Sequence, residues 1–135
     1  MMKHIGAVLL ALAAAGAAGA AGAQTGPLGT LACAGKPVTI RTSIIKPGQF
    51  GAFRSAVAAH QAWYAGHKNA TTVTLVRVTK RGAGGALSYD DSVAMTVVTY
   101  DTKPQPPRDA GYAAFVKAYQ QSSTVKDEHR GCLGG

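Results

Sequence analysis

The sequence predicts an α+β fold of order β-α-β-β-α, with a weak final strand, behind an N-terminal export signal. Three observations carry this. Two segments repeat apolar and aromatic residues at spacings of three and four, the period of a helix with one buried face. Three others are short, rich in β-branched residues and bounded by turn signals. Residues 1–23 differ from all of them, being apolar and nearly uncharged.

Residues 1–23 read as a secretory signal peptide. Lys3 supplies the positive start, "IGAVLLALAAAGAAGAAGA" is uncharged, and Ala21-Gly22-Ala23 has the small-residue form of a cleavage site. The run is long enough to raise an uncleaved anchor. Its second half, however, is only Ala and Gly, which gain little on transfer to lipid, so no stable membrane anchor is expected after cleavage. Gln24 and Thr25 separate the run from the first cysteine, Cys33, which is not the layout of a lipoprotein. The expected destination is the periplasm or the outside.

Cleavage leaves roughly 110 residues, enough for one domain with one core. Residues 24–36, "QTGPLGTLACAGK", are glycine-rich and aperiodic and read as an N-terminal strap before a domain at 37–135. "PVTIRTSII" (37–45) is a strand that ends at the turn signal "KPGQ". A helix follows at 49–67. At 100° per residue, Phe53, Val57, His60, Tyr64 and His67 share its stripe, with Trp63 on the flank. "TTVTLVRVTK" (71–80) is the second strand, "RGAGGALSYDD" (81–91) a turn-rich connection and "SVAMTVVTYD" (92–101) the third strand. The prolines of "TKPQPPR" exclude helix and central strand. The chain then enters a second helix at 109–121, where Tyr112, Phe115, Val116 and Tyr119 form the stripe. A weak fourth strand candidate spans 124–129.

This order suits the ferredoxin-like split β-α-β sandwich, with sheet order 4-1-3-2 and the fourth strand antiparallel to the first. That topology places the end of the last strand beside the start of the first. Cys33 and Cys132 sit at those two ends. An even cysteine count in an exported chain predicts a disulfide between them. No metal is expected. His129 lies three residues before Cys132, but two ligands make no structural zinc site.

Neither face of the third strand is clearly polar: Val93, Met95 and Val97 lie on one, Ala94, Thr96, Val98 and Tyr100 on the other. Two helices cover one face only, so the other needs a cover, and a homodimer packed sheet to sheet provides one. In this respect, and in "IIKPGQFGAFRSAVAAHQAWYAGH", the chain resembles the dimeric α/β-barrel superfamily, antibiotic-biosynthesis-monooxygenase-like members among them. The resemblance implies ferredoxin-like subunits and a pocket between the first helix and the sheet or inside the barrel. It implies that His60, Trp63 and Tyr64 could orient an aromatic ligand there. The export signal and the disulfide depart from that pattern.

The candidate ligand-binding residues are therefore His60, Trp63, Tyr64, Arg41 and Arg77. The two arginines are unusual in strand interiors and suit an anionic ligand or a developing anion; equally, they reach the rim or pair with aspartates. His60 also reads as a hydrogen-bonded core histidine, and His67 as a residue favoured by the helix C-terminus. One histidine in an apolar pocket is all a haem needs, so the sequence leaves that open while calling for no cofactor. Asp90 and Asp91 read as solvated turn residues. Asn69-Ala70-Thr71 has the form of a glycosylation acceptor.

The formal net charge is +8 at pH 7, which raises a nucleic-acid partner. The basic residues are scattered, with only Lys80-Arg81 adjacent in the mature chain, and no aromatic-and-basic strand of the RNA-binding type occurs. No nucleic-acid partner is expected. There is no nucleophile elbow and no phosphate loop, so no catalytic residue is assigned. Two function classes remain. One is a homodimeric binding or structural module for a small apolar or aromatic ligand. The other is a cofactor-independent, monooxygenase-like enzyme acting on an activated aromatic.

Overall fold

The computed structural model describes residues 32–134. The signal segment and most of the strap lie outside the described residues. The first strand, β1, runs Lys36–Ile45. It ends in a tight turn where Gln49 N–H donates to the Lys46 carbonyl at 2.9 Å. Gly48 takes φ 73° there, a conformation open to glycine at little cost. Helix α1 follows at Phe50–Gly66, burying Phe53, Ala56, Val57, His60, Trp63 and Tyr64.

The remaining elements are β2 (Thr72–Arg81), β3 (Leu87–Thr99), α2 (Ala110–Ser122) and β4 (Ser123–Leu133). Helix α2 starts at Asp109, whose carboxylate accepts the Tyr112 N–H at 3.0 Å and so satisfies one of the orphan donors of the first turn. The sheet order is β2-β3-β1-β4, and every pairing is antiparallel. This is the order expected from the sequence, read from the other edge.

Two strands differ from their expected bounds. The third begins at Leu87, not 92. Gly84 and Gly85 adopt φ 70° and 82° and complete the reversal early, which frees Leu87 and Tyr89 to pair with Arg81 and Thr79. Asp90 and Asp91 therefore lie in β3 rather than in a turn. The fourth strand is full-length, pairing with β1 from Ser123 to Leu133 with one irregularity near Thr42. It is an edge strand with little to bury, so polar residues serve it.

Cys33 and Cys132 are bonded, with Cα atoms 5.6 Å apart. Cys132 pairs with Pro37 in the β1–β4 ladder, so the bond closes the sheet's outer edge where the topology brings the two ends together. Asn69 is buried: its Oδ1 accepts the Thr71 N–H at 3.0 Å and its Nδ2 donates to the Pro104 carbonyl at 3.3 Å. In the folded domain that amide is not available for glycosylation.

Both helices lie over one face of the sheet. Ile45, Ala94, Val98 and Val73 rise from it to meet Phe53, Val57, Tyr64 and Phe115. The opposite face carries Ile40, Ile44, Val76, Val93, Met95 and Val97, brought side by side by the registers of β1, β3 and β2. No helix among the described residues covers it, and Ile44 and Val76 are 43% and 39% exposed.

Candidate functional site

The two helices do not cover their face of the sheet evenly. Helix α1 packs over β2 and β3, while α2 touches the sheet mainly near β4. Between α2 and strands β1, β3 and β4 a cleft of about 680 Å³ remains. Its roof is aromatic, with Trp63 from α1 and Tyr112, Phe115 and Tyr119 from α2. Its floor is polar, with Thr39, Arg41 and Ser43 of β1 beside Thr96 of β3. Glu128 and Arg130 of β4 stand at the outer rim, and Gln105 and Arg108 at the entry to α2.

His60 reaches the cleft from α1 and stacks on Phe115 with ring centroids 4.2 Å apart. Its Nδ1 shares a hydrogen bond with the Tyr119 hydroxyl at 3.2 Å; Nε2 has no hydrogen-bond partner among the described residues. Burial, and after it the Arg41 charge, lowers its pKa to about 4, so at neutral pH the ring is an uncharged imidazole. Burial raises the Tyr119 hydroxyl well above the usual phenol range, against the opposing pull of Arg41. Tyr64 is raised in the same way, chiefly by burial, with Tyr100 and Tyr112 adding to it. Its hydroxyl donates to Gln105 Oε1 at 2.7 Å.

Arg41 rises from the middle of β1. Its Nε donates to Glu128 Oε2 at 2.9 Å, and Nη2 donates to the same oxygen. Nη1 has no hydrogen-bond partner among the described residues. Glu128 Oε1 also faces Arg130 Nε at 3.7 Å. Trp63 lines the cleft while its indole N–H is held by Asp109 Oδ1 at 2.7 Å. The other Asp109 oxygen pairs with His67 Nε2 at 2.9 Å. Hydrogen bonds from the Tyr112 N–H first and from Trp63 second, with the His67 charge nearby, lower the Asp109 carboxyl.

The fold thus brings Arg41, His60, Trp63 and Tyr64 around one cleft. It does not bring Arg77 there. That guanidinium sits between the Phe50 and Tyr89 rings, 5.0 and 3.8 Å from their centroids, and Nη2 donates to Asp91 at 2.7 Å. Sequence reasoning gave the Tyr112–Tyr119 stripe a packing role only, and gave Glu128 none. Glu128 lies inside the strand expected at 124–129, and its role follows from the β1–β4 register, which sets it opposite Arg41.

No protein-family model matches this chain, and no curated protein does. Among solved structures, it superposes on a provisionally named antibiotic biosynthesis monooxygenase from Bordetella bronchiseptica, with a TM-score of 0.51 and 15% identity over 73% of this chain and 97% of that one. The fold is ferredoxin-like. At that identity the likeness concerns the ferredoxin-like fold and not the chemistry. A phage S-adenosylmethionine lyase, solved with S-methyl-5'-thioadenosine, also aligns over 77% of this chain and 95% of its own, but at 8% identity and a TM-score of 0.26, too low to bear on this chain. Among the described residues, no group of three His, Cys, Asp or Glu stands close enough to hold a metal ion.

Proposed function

We propose that this is an exported homodimer that holds a small apolar or aromatic ligand in the cleft between α2 and the sheet. The observation that carries this is the cleft itself. At about 680 Å³ it falls within the range of small-molecule sites, and it sets an aromatic roof over a polar floor and rim. The Cys33–Cys132 bond supports export, since such bonds persist in oxidising compartments. No described helix is long and apolar enough to cross a membrane.

Support for the dimer comes from the face of the sheet that neither described helix covers. Ile40, Ile44, Val76 and Met95 form one contiguous apolar patch there, and soluble monomers rarely leave such a patch open. A second copy presents the same patch and covers it with two-fold symmetry. Native mass spectrometry of the purified mature protein tests both parts. A dimer mass carrying a bound small molecule is expected; a ligand-free monomer at tens of micromolar overturns the reading.

A second reading is favoured by His60. An imidazole with Nε2 unengaged, in an aromatic cleft, can take a proton from an activated phenol, and its pKa of about 4 makes it a weak base that needs an acidic one. On this reading the protein is a cofactor-independent, monooxygenase-like enzyme. Oxygen uptake with a hydroquinone, lost in His60→Phe at unchanged fold, would support it; no uptake with the wild type removes it.

A further inference from the structure

The charges around the cleft are not balanced. Three guanidinium groups line it, from Arg41, Arg108 and Arg130, against one carboxylate, Glu128. His60 adds no charge at neutral pH. Much of the neutral polar lining is closed on itself. Thr39 Oγ1 bonds the Tyr100 hydroxyl at 3.1 Å, His60 bonds Tyr119 and Tyr64 bonds Gln105. Those groups offer little to a sugar or another polyol.

Arg41 is placed differently. It rises from the floor toward His60 and Tyr119. One edge of its guanidinium, Nε and Nη2, is spent on a single oxygen of Glu128. The Nη1 amino group is left over, and a guanidinium donor not yet paired is suited to an oxyanion. Glu128 fixes the plane of the guanidinium and at the same time weakens its field. The half-buried rings of Tyr112 and Tyr119 line the same cleft, a surface for flat, apolar groups.

We propose that the ligand of this cleft is a planar aromatic acid, its anionic group received by Arg41 and its rings by the underside of α2. This rests on the ligand-binding reading above and narrows it to one chemical class. Glu128 then sets the affinity from the side, as a fixed negative charge next to the acid group.

Two fluorescent probes of one ring system separate the claims: anilinonaphthalene sulfonate, which is anionic, and phenylnaphthylamine, which is neutral. The wild type should bind the anionic probe about tenfold more tightly at low salt, a difference the size expected for one charge contact in a partly open site. Arg41→Gln should remove that preference and leave the neutral probe unchanged. Glu128→Gln keeps an acceptor for the guanidinium and removes the charge, so it should tighten the anionic probe several-fold and leave the neutral one alone. This second variant tests the proposal even if Arg41→Gln fails to fold. Equal binding of both probes by the wild type overturns the aromatic-acid assignment while leaving the cleft a ligand site. An anionic preference untouched by either substitution places the probe elsewhere and also overturns it. Binding of neither probe overturns the assignment and the ligand-binding reading together.

Discussion

The Trp63 indole N–H donates to Asp109 Oδ1 at 2.7 Å, so the ring of one helix is tied to the residue that caps the other. The same carboxylate oxygen accepts the Tyr112 N–H. One side chain thereby starts α2 and fixes its distance from α1, and so sets the height of the cleft roof.

Replacing Trp63 with Phe keeps most of the buried ring but removes the indole donor to Asp109, which retains the Tyr112 N–H and His67. The expected cost is about 1–2 kcal/mol, from the lost hydrogen bond and the space left by the smaller ring. Urea denaturation followed by far-ultraviolet circular dichroism measures it. A variant as stable as the wild type would show that the tie contributes nothing.

Gly111 lies under the same ring. A Cβ there would stand 3.0 Å from Trp63 Cδ1 and 3.3 Å from Asp109 Oδ1. Alanine is the better helix former by about 1 kcal/mol, yet Trp63 is held by its hydrogen bond and cannot yield freely. The strain is expected to win, giving a net loss of about 1 kcal/mol for Gly111→Ala. A thermal melt above that of the wild type would reverse the sign.

Stability should fall with acid through His60. Its pKa is about 4 in the fold against 6.5 for a free histidine side chain. Between those values the unfolded chain binds a proton that the folded chain refuses. The contribution is therefore fully present above pH 6.5, declines as the pH falls and is gone below about pH 4. Its full size is as much as about 3 kcal/mol. Denaturation curves at a series of pH values should show this slope in the wild type and a flatter one in His60→Phe, with the cation-free ring still stacked on Phe115.

Breaking the disulfide should destabilise strongly. The bond closes a separation of 99 residues, for which the chain-entropy model gives at most about 4–5 kcal/mol. The β1–β4 ladder remains to hold the edge, so a folded but weaker domain is expected from Cys33→Ser with Cys132→Ser. Reductant should lower the denaturation midpoint of the wild type and leave that of the double variant in place. Thiol titration of the unfolded, unreduced protein should find no free thiol, in keeping with the absence of free cysteine among the described residues.

Much of this architecture was legible in the sequence. Helical stripes, β-branched runs and turn residues report local preferences directly, and both helices lie within a residue or two of their expected bounds. The disulfide followed from the even cysteine count of an exported chain, and the ferredoxin-like topology agreed with it by bringing the ends that carry Cys33 and Cys132 together. The misses have a common cause. Strand β4 and the start of β3 bury little, so their sequences lack apolar alternation; pairing partners hold them rather than side chains. The cleft was half visible. Arg41, His60, Trp63 and Tyr64 stand out as unusual residues in their elements. The role of Tyr119 and Glu128 depends on how far α2 rides above the sheet, a distance that no local pattern encodes. Arg77 looked like Arg41 in the sequence, and only the paired aspartate and the flanking rings set it apart.

The Cys33–Cys132 bond has a mechanical consequence. It joins the chain at both borders of the folded domain. A pull applied to segments outside those two residues runs through the sulfur bridge and bypasses everything between them. The sheet, the two helices and the cleft carry no tension, and stretching the chain cannot peel β4 from β1 while the bridge is intact. Under such a load the oxidised domain behaves as a short rigid link, and reduction turns it into a spring that can be drawn out over its full contour.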